Sequence, residues 1–206
     1  MVSIEAKKRV CVFVKNELVQ MIAKWSTTYE SESFTGGKMR GDRGHTIETL
    51  VMKTIETVAR ETSRNLTSKK GSFDKKPLTL TLPDGRTLTK EHQVDVHVYR
   101  DNVFVAVIEC KAYLDSCYYT RACDDFKLFT KFGYNVNTAI FALEDSIDEK
   151  TKIFTDFETD HVCKHVFYML DGKRSSSKPV YDKRYTKTPN DEKVARFVDY
   201  ICGLLG

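Results

Sequence analysis

The chain has 206 residues, 41% hydrophobic and 30% charged, with a formal net charge of +4, so it folds around its own apolar core and is no disordered tail. No apolar run approaches the roughly 20 residues of a membrane span, and Met1 to Lys8 lacks a signal-peptide core. The six cysteines, at 11, 110, 117, 123, 163 and 202, have neither zinc nor disulfide spacing, which makes a reduced, cytoplasmic protein the expectation.

Val10, Val14, Leu18, Met21, Ile22 and Trp25 recur at helical spacing, predicting a first helix over Glu5 to Trp25. Ser26 to Gly44 is polar and glycine-rich and reads as a connection. A second helix is expected from about Thr46, with Ile47, Leu50, Val51, Ile55 and Val58 on its buried side. Lys69, Lys70, Lys75 and Lys76 lie in an expected basic loop. The period then changes to two. Leu78, Leu80 and Leu82 alternate with threonines up to a Pro83-Asp84-Gly85-Arg86 turn. Alternation resumes from Leu88, with Val94, Val96 and Val98 on one face and Gln93, Asp95, His97 and Tyr99 on the other. Val103 to Ile108 is nearly continuous apolar sequence, as in a sheet centre. A helix over Tyr118 to Phe132, strands over Val136 to Leu143 and Val162 to Leu170, and a last helix after Pro189-Asn190-Asp191-Glu192 complete the pattern. The order helix, three antiparallel strands, helix, strand predicts one α/β domain over 1–206, a mixed central sheet flanked by helices with its core at about 46–143.

The apolar strand ends in Glu109-Cys110-Lys111. Strand side chains alternate, so Glu109 and Lys111 share one face with Val107 and Val105. If the preceding hairpin is centred on Asn102, Asp95 stands opposite Glu109, with Cβ atoms about 5 Å apart. Two carboxylates so close need a cation between them, and Mg²⁺, with its preference for oxygen ligands, is a natural one. The pairing depends on register. A plain two-residue turn at Asp101-Asn102 pairs Asp95 with Ile108 instead, so a three-residue turn or a bulge is required. The competing reading is a strand that emerges into solvent with an exposed acid–lysine pair.

Asp95 followed, after thirteen intervening residues, by Glu109-Cys110-Lys111 resembles the PD-(D/E)xK nucleases, and among them the type II restriction endonucleases. The string Glu-Cys-Lys-Ala-Tyr-Leu-Asp at 109–115 and the element order from Thr46 to Leu143 share that resemblance, and Gly44-His45-Thr46-Ile47-Glu48 looks like the family's helix start. Val94 stands where the family's nominal proline would be, and the literal Pro83-Asp84 lies in a turn that favours Asp for backbone reasons.

The resemblance implies a restriction-endonuclease-like core and phosphodiester hydrolysis leaving a 5′-phosphate, with Mg²⁺ as cofactor and Mn²⁺ as its substitute. It assigns Asp95, Glu109 and the Cys110 carbonyl to the metal, Lys111 to the attacking water and Glu48 to a supporting catalytic place. It also implies double-stranded DNA as partner and a homodimer cutting both strands. A repair or phage-processing nuclease of the same core, or a DNA-binding module with a structural acid pair, are the alternatives.

For DNA contacts, three basic segments stand out, and the alternative for each is a solvated loop. Gly172 to Asn190 carries Lys173, Arg174, Lys178, Lys183, Arg184 and Lys187, with Tyr181 and Tyr185 among them. The second is the lysine run at 69–76, and the third holds Lys38, Arg40 and Arg43. Arg121 and Lys127, on the expected third helix, are further phosphate candidates. A zinc site at His161, Cys163 and His165 is set aside because structural zinc draws on separated ligand pairs. Gly36, Gly37, Gly41 and Gly44 precede no Gly-Lys-Ser or Gly-Lys-Thr, so no nucleotide cofactor is expected.

Overall fold

In the computed structural model the elements run α1 (Ile4–Ser31), α2 (Gly36–Thr62), β1 (Leu66–Lys70), a 3₁₀ turn (Gly71–Phe73), β2 (Lys76–Thr81), β3 (Thr87–His92), β4 (Val96–Arg100), β5 (Val103–Leu114), α3 (Ser116–Lys131), β6 (Asn137–Asp145), α4 (Glu149–Glu158), β7 (His165–Tyr168) and α5 (Asp191–Gly203). The structure describes residues 2–31, 36–158, 162–175, 177–178, 180, 182–185 and 187–206, and for 29–31, 36–40 and 183 the backbone alone. His161, Ser176 and Tyr181, and the side chains of Lys38, Arg40 and Lys183, therefore lie outside the described residues.

The expected α/β architecture with a mixed sheet is present. Five strands lie in the order β1-β4-β5-β6-β7. β1, β4 and β5 are antiparallel neighbours, whereas β5, β6 and β7 run parallel. A parallel step needs a crossover, which α3 supplies between β5 and β6. One sheet face packs against α1, α2 and α5 through Val14, Leu18, Ile55, Val96, Ile108 and Phe197. The other buries Val107, Ile140, Tyr119, Phe126 and Phe129 beneath α3. β5 and β6 are covered on both faces, which is why Ala139 to Leu143 is an unbroken apolar run.

Several expected boundaries are wrong. Most of the expected connection Ser26–Gly44 is helical, since α1 continues to Ser31 and α2 starts at Gly36, ten residues before the expected Thr46. The polar residues that suggested a loop satisfy themselves within the helices: Ser26, Thr27 and Thr28 donate to the carbonyls of Ile22, Ala23 and Lys24, and Thr46 to that of Asp42 at 2.7 Å. Lys69 and Lys70 close edge strand β1 rather than a loop, a place where lysine discourages edge-to-edge pairing. β1 is thus the first of the three antiparallel strands. The segments expected to continue one another across Leu88 to Tyr99 separate at Gln93–Asp95, and β2 and β3 form a ribbon of their own. Helix α4, capped by Asp148 accepting from the Thr151 N–H at 2.9 Å, was not expected. Asn190 does cap α5, accepting from the Lys193 N–H at 2.9 Å.

Candidate active site

The β4–β5 hairpin turns on Asp101 and Asn102, both with positive φ (50° and 64°), the conformation of a two-residue turn that Asp and Asn tolerate. By itself that turn would set Asp95 opposite Ile108. The register instead shifts between Val98 and Tyr99: Tyr99 pairs with Phe104 but Val98 with Ala106, leaving Val105 as the extra residue. Val105 and Ala106 both pack toward α1 and α2. Below the bulge Val96 pairs with Ile108, so the next positions bring Asp95 level with Glu109. The bulge fulfils the register condition posed by the sequence.

Asp95 Oδ2 accepts the Cys110 N–H at 2.8 Å and lies 3.4 Å from Lys111 Nζ. Lys111 also donates to Glu109, so its ammonium bridges the two carboxylates. The Cys110 thiol points to the opposite face and is buried in the helix-side core, where burial pushes its pKa up. Glu109 is only 9% exposed. Burial first, and the Asp95 charge second, push its pKa up to about 7 despite Lys111. Burial disfavours the Lys111 ammonium too, but Glu109 and Asp95 outweigh it and hold Lys111 above the ordinary lysine range.

These groups line a cavity of about 480 Å³. Five carboxylates face it, from Glu48, Glu91, Asp95, Glu109 and Asp125, against the two cations Lys111 and Arg121. Tyr118, Arg121 and Asp125 reach it from one side of α3 at helical spacing, while Tyr119, Ala122, Phe126 and Phe129 pack beneath that helix. A second recess of about 200 Å³ adjoins it, sharing Glu48, Asp95, Lys111 and Tyr118 and adding Arg43 and Tyr113.

Of the sequence candidates, Asp95, Glu109, Lys111, Glu48 and Arg121 share this cavity. Glu48 is not in a helix's first turn as expected but well inside α2, its carboxylate 3.1 Å from Lys70 Nζ. Lys70 also lies 2.6 Å from His45 Nδ1. Lys127 is outside the cavity lining, with its ammonium 3.4 Å from the Glu158 carbonyl.

The basic segment divides. Lys173 is 3.2 Å from Asp145 and donates to the Ile147 carbonyl, and Lys187 is 2.6 Å from Glu144, whose side chain is 5% exposed. Lys187 is thereby held by a buried acid, while the Lys173 side chain stays exposed. Arg184 is exposed and forks onto Asp182 through Nε and Nη2, with Tyr185 beside it. Arg174 stacks on Tyr113, 3.6 Å from the ring centre, and Tyr113 meets Tyr118 edge-on, which brings this loop to the rim of the second recess.

Sequence reasoning missed Asp125 and His45 as site residues and read Lys70 only as part of a basic run for DNA contacts. Asp125 was accessible through its i+4 relation to Arg121; Lys70 and His45 meet only through the packing of α2 on β1.

Fold and cavity together define an α/β protein whose mixed sheet carries an acid–acid–lysine centre on adjoining strands. Within this frame, the chain is similar to the type II restriction enzyme DdeI of Desulfomicrobium norvegicum, at 28% identity over 121 residues, covering 52% of this chain and 50% of that protein. The match thus spans half the length of that relative. No family model matches the chain.

Proposed function

We propose that this protein is a Mg²⁺-dependent, sequence-specific endonuclease of restriction type that hydrolyses phosphodiester bonds of double-stranded DNA to leave 5′-phosphates, working as a homodimer. The observation that carries this reading is the alignment of Asp95 with Glu109 across the bulged hairpin, with Lys111 on the same face. The similarity over half the chain to a type II restriction enzyme supports it independently.

The donor set fits a hard cation. Five carboxylates and two cations line the cavity; Glu48 and Glu91 have Lys70 and Lys75 as partners, while Asp95 and Glu109 share the ammonium of Lys111. Among the described residues no three His, Cys, Asp or Glu side chains converge to enclose a metal by themselves. The ligands would be Asp95, Glu109 and the Cys110 carbonyl, completed by water, as suits Mg²⁺. A metal held there would supply charge for the phosphoryl oxygen and would lower the pKa of its bound water. Lys111, released from its bridge, orients that water and offsets charge developing on phosphate. Arg121 on the cavity wall and Arg174 on the rim contact flanking phosphates, and Glu48, held by Lys70, supports the acidic wall.

A DNA-binding module with a structural acid pair is favoured by one observation, the bridging of both carboxylates by Lys111. The two readings separate in a digest of phage DNA with purified protein, beside an EDTA control and the Glu109→Ala, Lys111→Ala double variant. Discrete fragments that need Mg²⁺ and vanish in the variant are expected. A smear removes the sequence-specific part of the reading, and intact DNA with every divalent metal removes the nuclease.

A further inference from the structure

The β2–β3 ribbon stands apart from the five-stranded sheet, and among the described residues neither strand pairs with any other. Its root is anchored. Leu78 is buried, the Pro77 carbonyl accepts from Tyr134 Oη at 2.9 Å, and His92 lies on Phe129, ring centres 4.9 Å apart. Its tip is a closed turn. Leu82 N–H donates to the Arg86 carbonyl at 2.8 Å, Gly85 takes a positive φ of 83°, and Asp84 accepts from both the Arg86 amide and guanidinium. Between root and tip nearly every side chain is exposed.

The register sorts that surface. Thr79 faces Thr89 and Thr81 faces Thr87, so four exposed threonines make one side of the ribbon. Leu80 and Leu88 pair on the other. A lone two-stranded ribbon is only marginally stable in water, and this one is held by its buried root and its closed turn. The ribbon also has an address. β3 ends at His92, three residues before Asp95, and Glu91 to Asp95 form one wall of the carboxylate cavity. Asp84 and Glu91 are each paired with a cation, Arg86 and Lys75, whereas Lys90 extends exposed from the ribbon.

We infer that this ribbon enters the major groove of the duplex beside the scissile phosphate and that its threonine face reads base edges. The inference rests on the DNA-cleaving reading above and adds to it the element that selects sequence. Six strand residues span about 20 Å. The major groove is about 12 Å wide and admits a two-stranded ribbon. Threonine suits either base type, its hydroxyl donating or accepting and its methyl meeting the thymine methyl. Lys90, opposite Leu78, lies on the leucine side of the ribbon and takes no part in the threonine face.

The test maps cut ends by sequencing digests of phage DNA with Mg²⁺, using wild type, a variant with Thr79, Thr81, Thr87 and Thr89 changed to Val, and a shortened ribbon in which Asn-Gly replaces residues 80–88. Wild type should show a defined base preference. Both variants should cleave those sites at least 100-fold more slowly or lose the preference, with unchanged far-ultraviolet circular dichroism. Wild-type protein held on the mapped site with Ca²⁺ in place of Mg²⁺ should also protect guanine N7 atoms there from dimethyl sulfate, a major-groove readout that needs no variant. Identical ends cut within twofold of the wild-type rate, or an unprotected major groove, overturns the ribbon assignment while leaving the nuclease intact. Wild type that cuts DNA without base preference overturns it as well, and wild type that leaves all DNA uncut overturns both.

Discussion

Asp95 Oδ2 accepts the backbone N–H of Cys110 at 2.8 Å, so the first carboxylate is fixed to the strand that carries Glu109 and Lys111 on either side of that amide. The acid that precedes β4 is thereby positioned by β5 rather than by its own strand. Its carbonyl is held from the other side, accepting from Gly71 N–H at 3.0 Å.

Gly71 therefore tests how far Asp95 depends on its supports. A Cβ at this position would lie 1.7 Å from the Val94 carbonyl oxygen, a contact that only backbone movement relieves. Gly71→Ala should cost about 1–3 kcal/mol by overpacking and reduce DNA cleavage at least tenfold. Gly41→Ala, in α2 with nothing within 4 Å, should instead gain up to about 1 kcal/mol. Thermal melts and cleavage rates of the pair check this, and equal effects would argue against a special role for the Gly71 contact.

Glu109 predicts a pH signature in metal-free protein. Its folded pKa, about 7, lies above the ordinary 4.5, so the folded state holds a proton that the unfolded state releases between those values. Its ionisation therefore destabilises the fold above pH 7, and this penalty fades as pH falls toward 4.5. Glu109→Gln, which carries no charge, should be more stable than wild type by roughly 1–3 kcal/mol at pH 8 and nearly equal to it at pH 4.5. Urea unfolding in EDTA at the two pH values measures the difference, and a pH-independent gap would contradict the shift.

Lys111→Met should slow cleavage at least 100-fold, since it removes an ammonium that faces both carboxylates. On the reading that the basic rim binds DNA, affinity should change less than fivefold. Single-turnover cleavage beside filter binding separates the two quantities.

The basic segment should divide in the same way. Lys187→Met leaves Glu144 buried without its cation and should destabilise the fold by about 2–3 kcal/mol. Arg174→Ala should leave the melting temperature nearly unchanged but weaken DNA binding and lower the salt slope by about one. Binding isotherms from 50 to 200 mM salt would distinguish a phosphate contact from a solvated loop.

Much of this molecule was legible in the linear chain because periodicity reports burial. The runs at Val103–Ile108 and Ala139–Leu143 are apolar because both sheet faces are covered there; Glu109 stands out because an acid at the end of such a run needs a partner, and Asp95 because the hairpin can set it opposite Glu109. Local polarity misled where a residue satisfies itself. The hydroxyls of Ser26 to Thr28 and Thr46 bond within their own helices, so a stretch with loop composition is helical, and Glu48 lies deep inside α2.

Sequence alone determined the alternation, a turn near Asp101-Asn102 whose length it left open, and the set of acids and cations available to the site. Only the tertiary structure decided how they meet. A bulge at Val105 shifts the pairing by one residue, and with a side-chain period of two that single step decides whether Asp95 faces Glu109 or the opposite side of the sheet. Likewise Lys187 is spent on Glu144 and Arg174 is carried to the rim, because the positions of their partners depend on how distant segments pack and not on neighbouring residues in the chain.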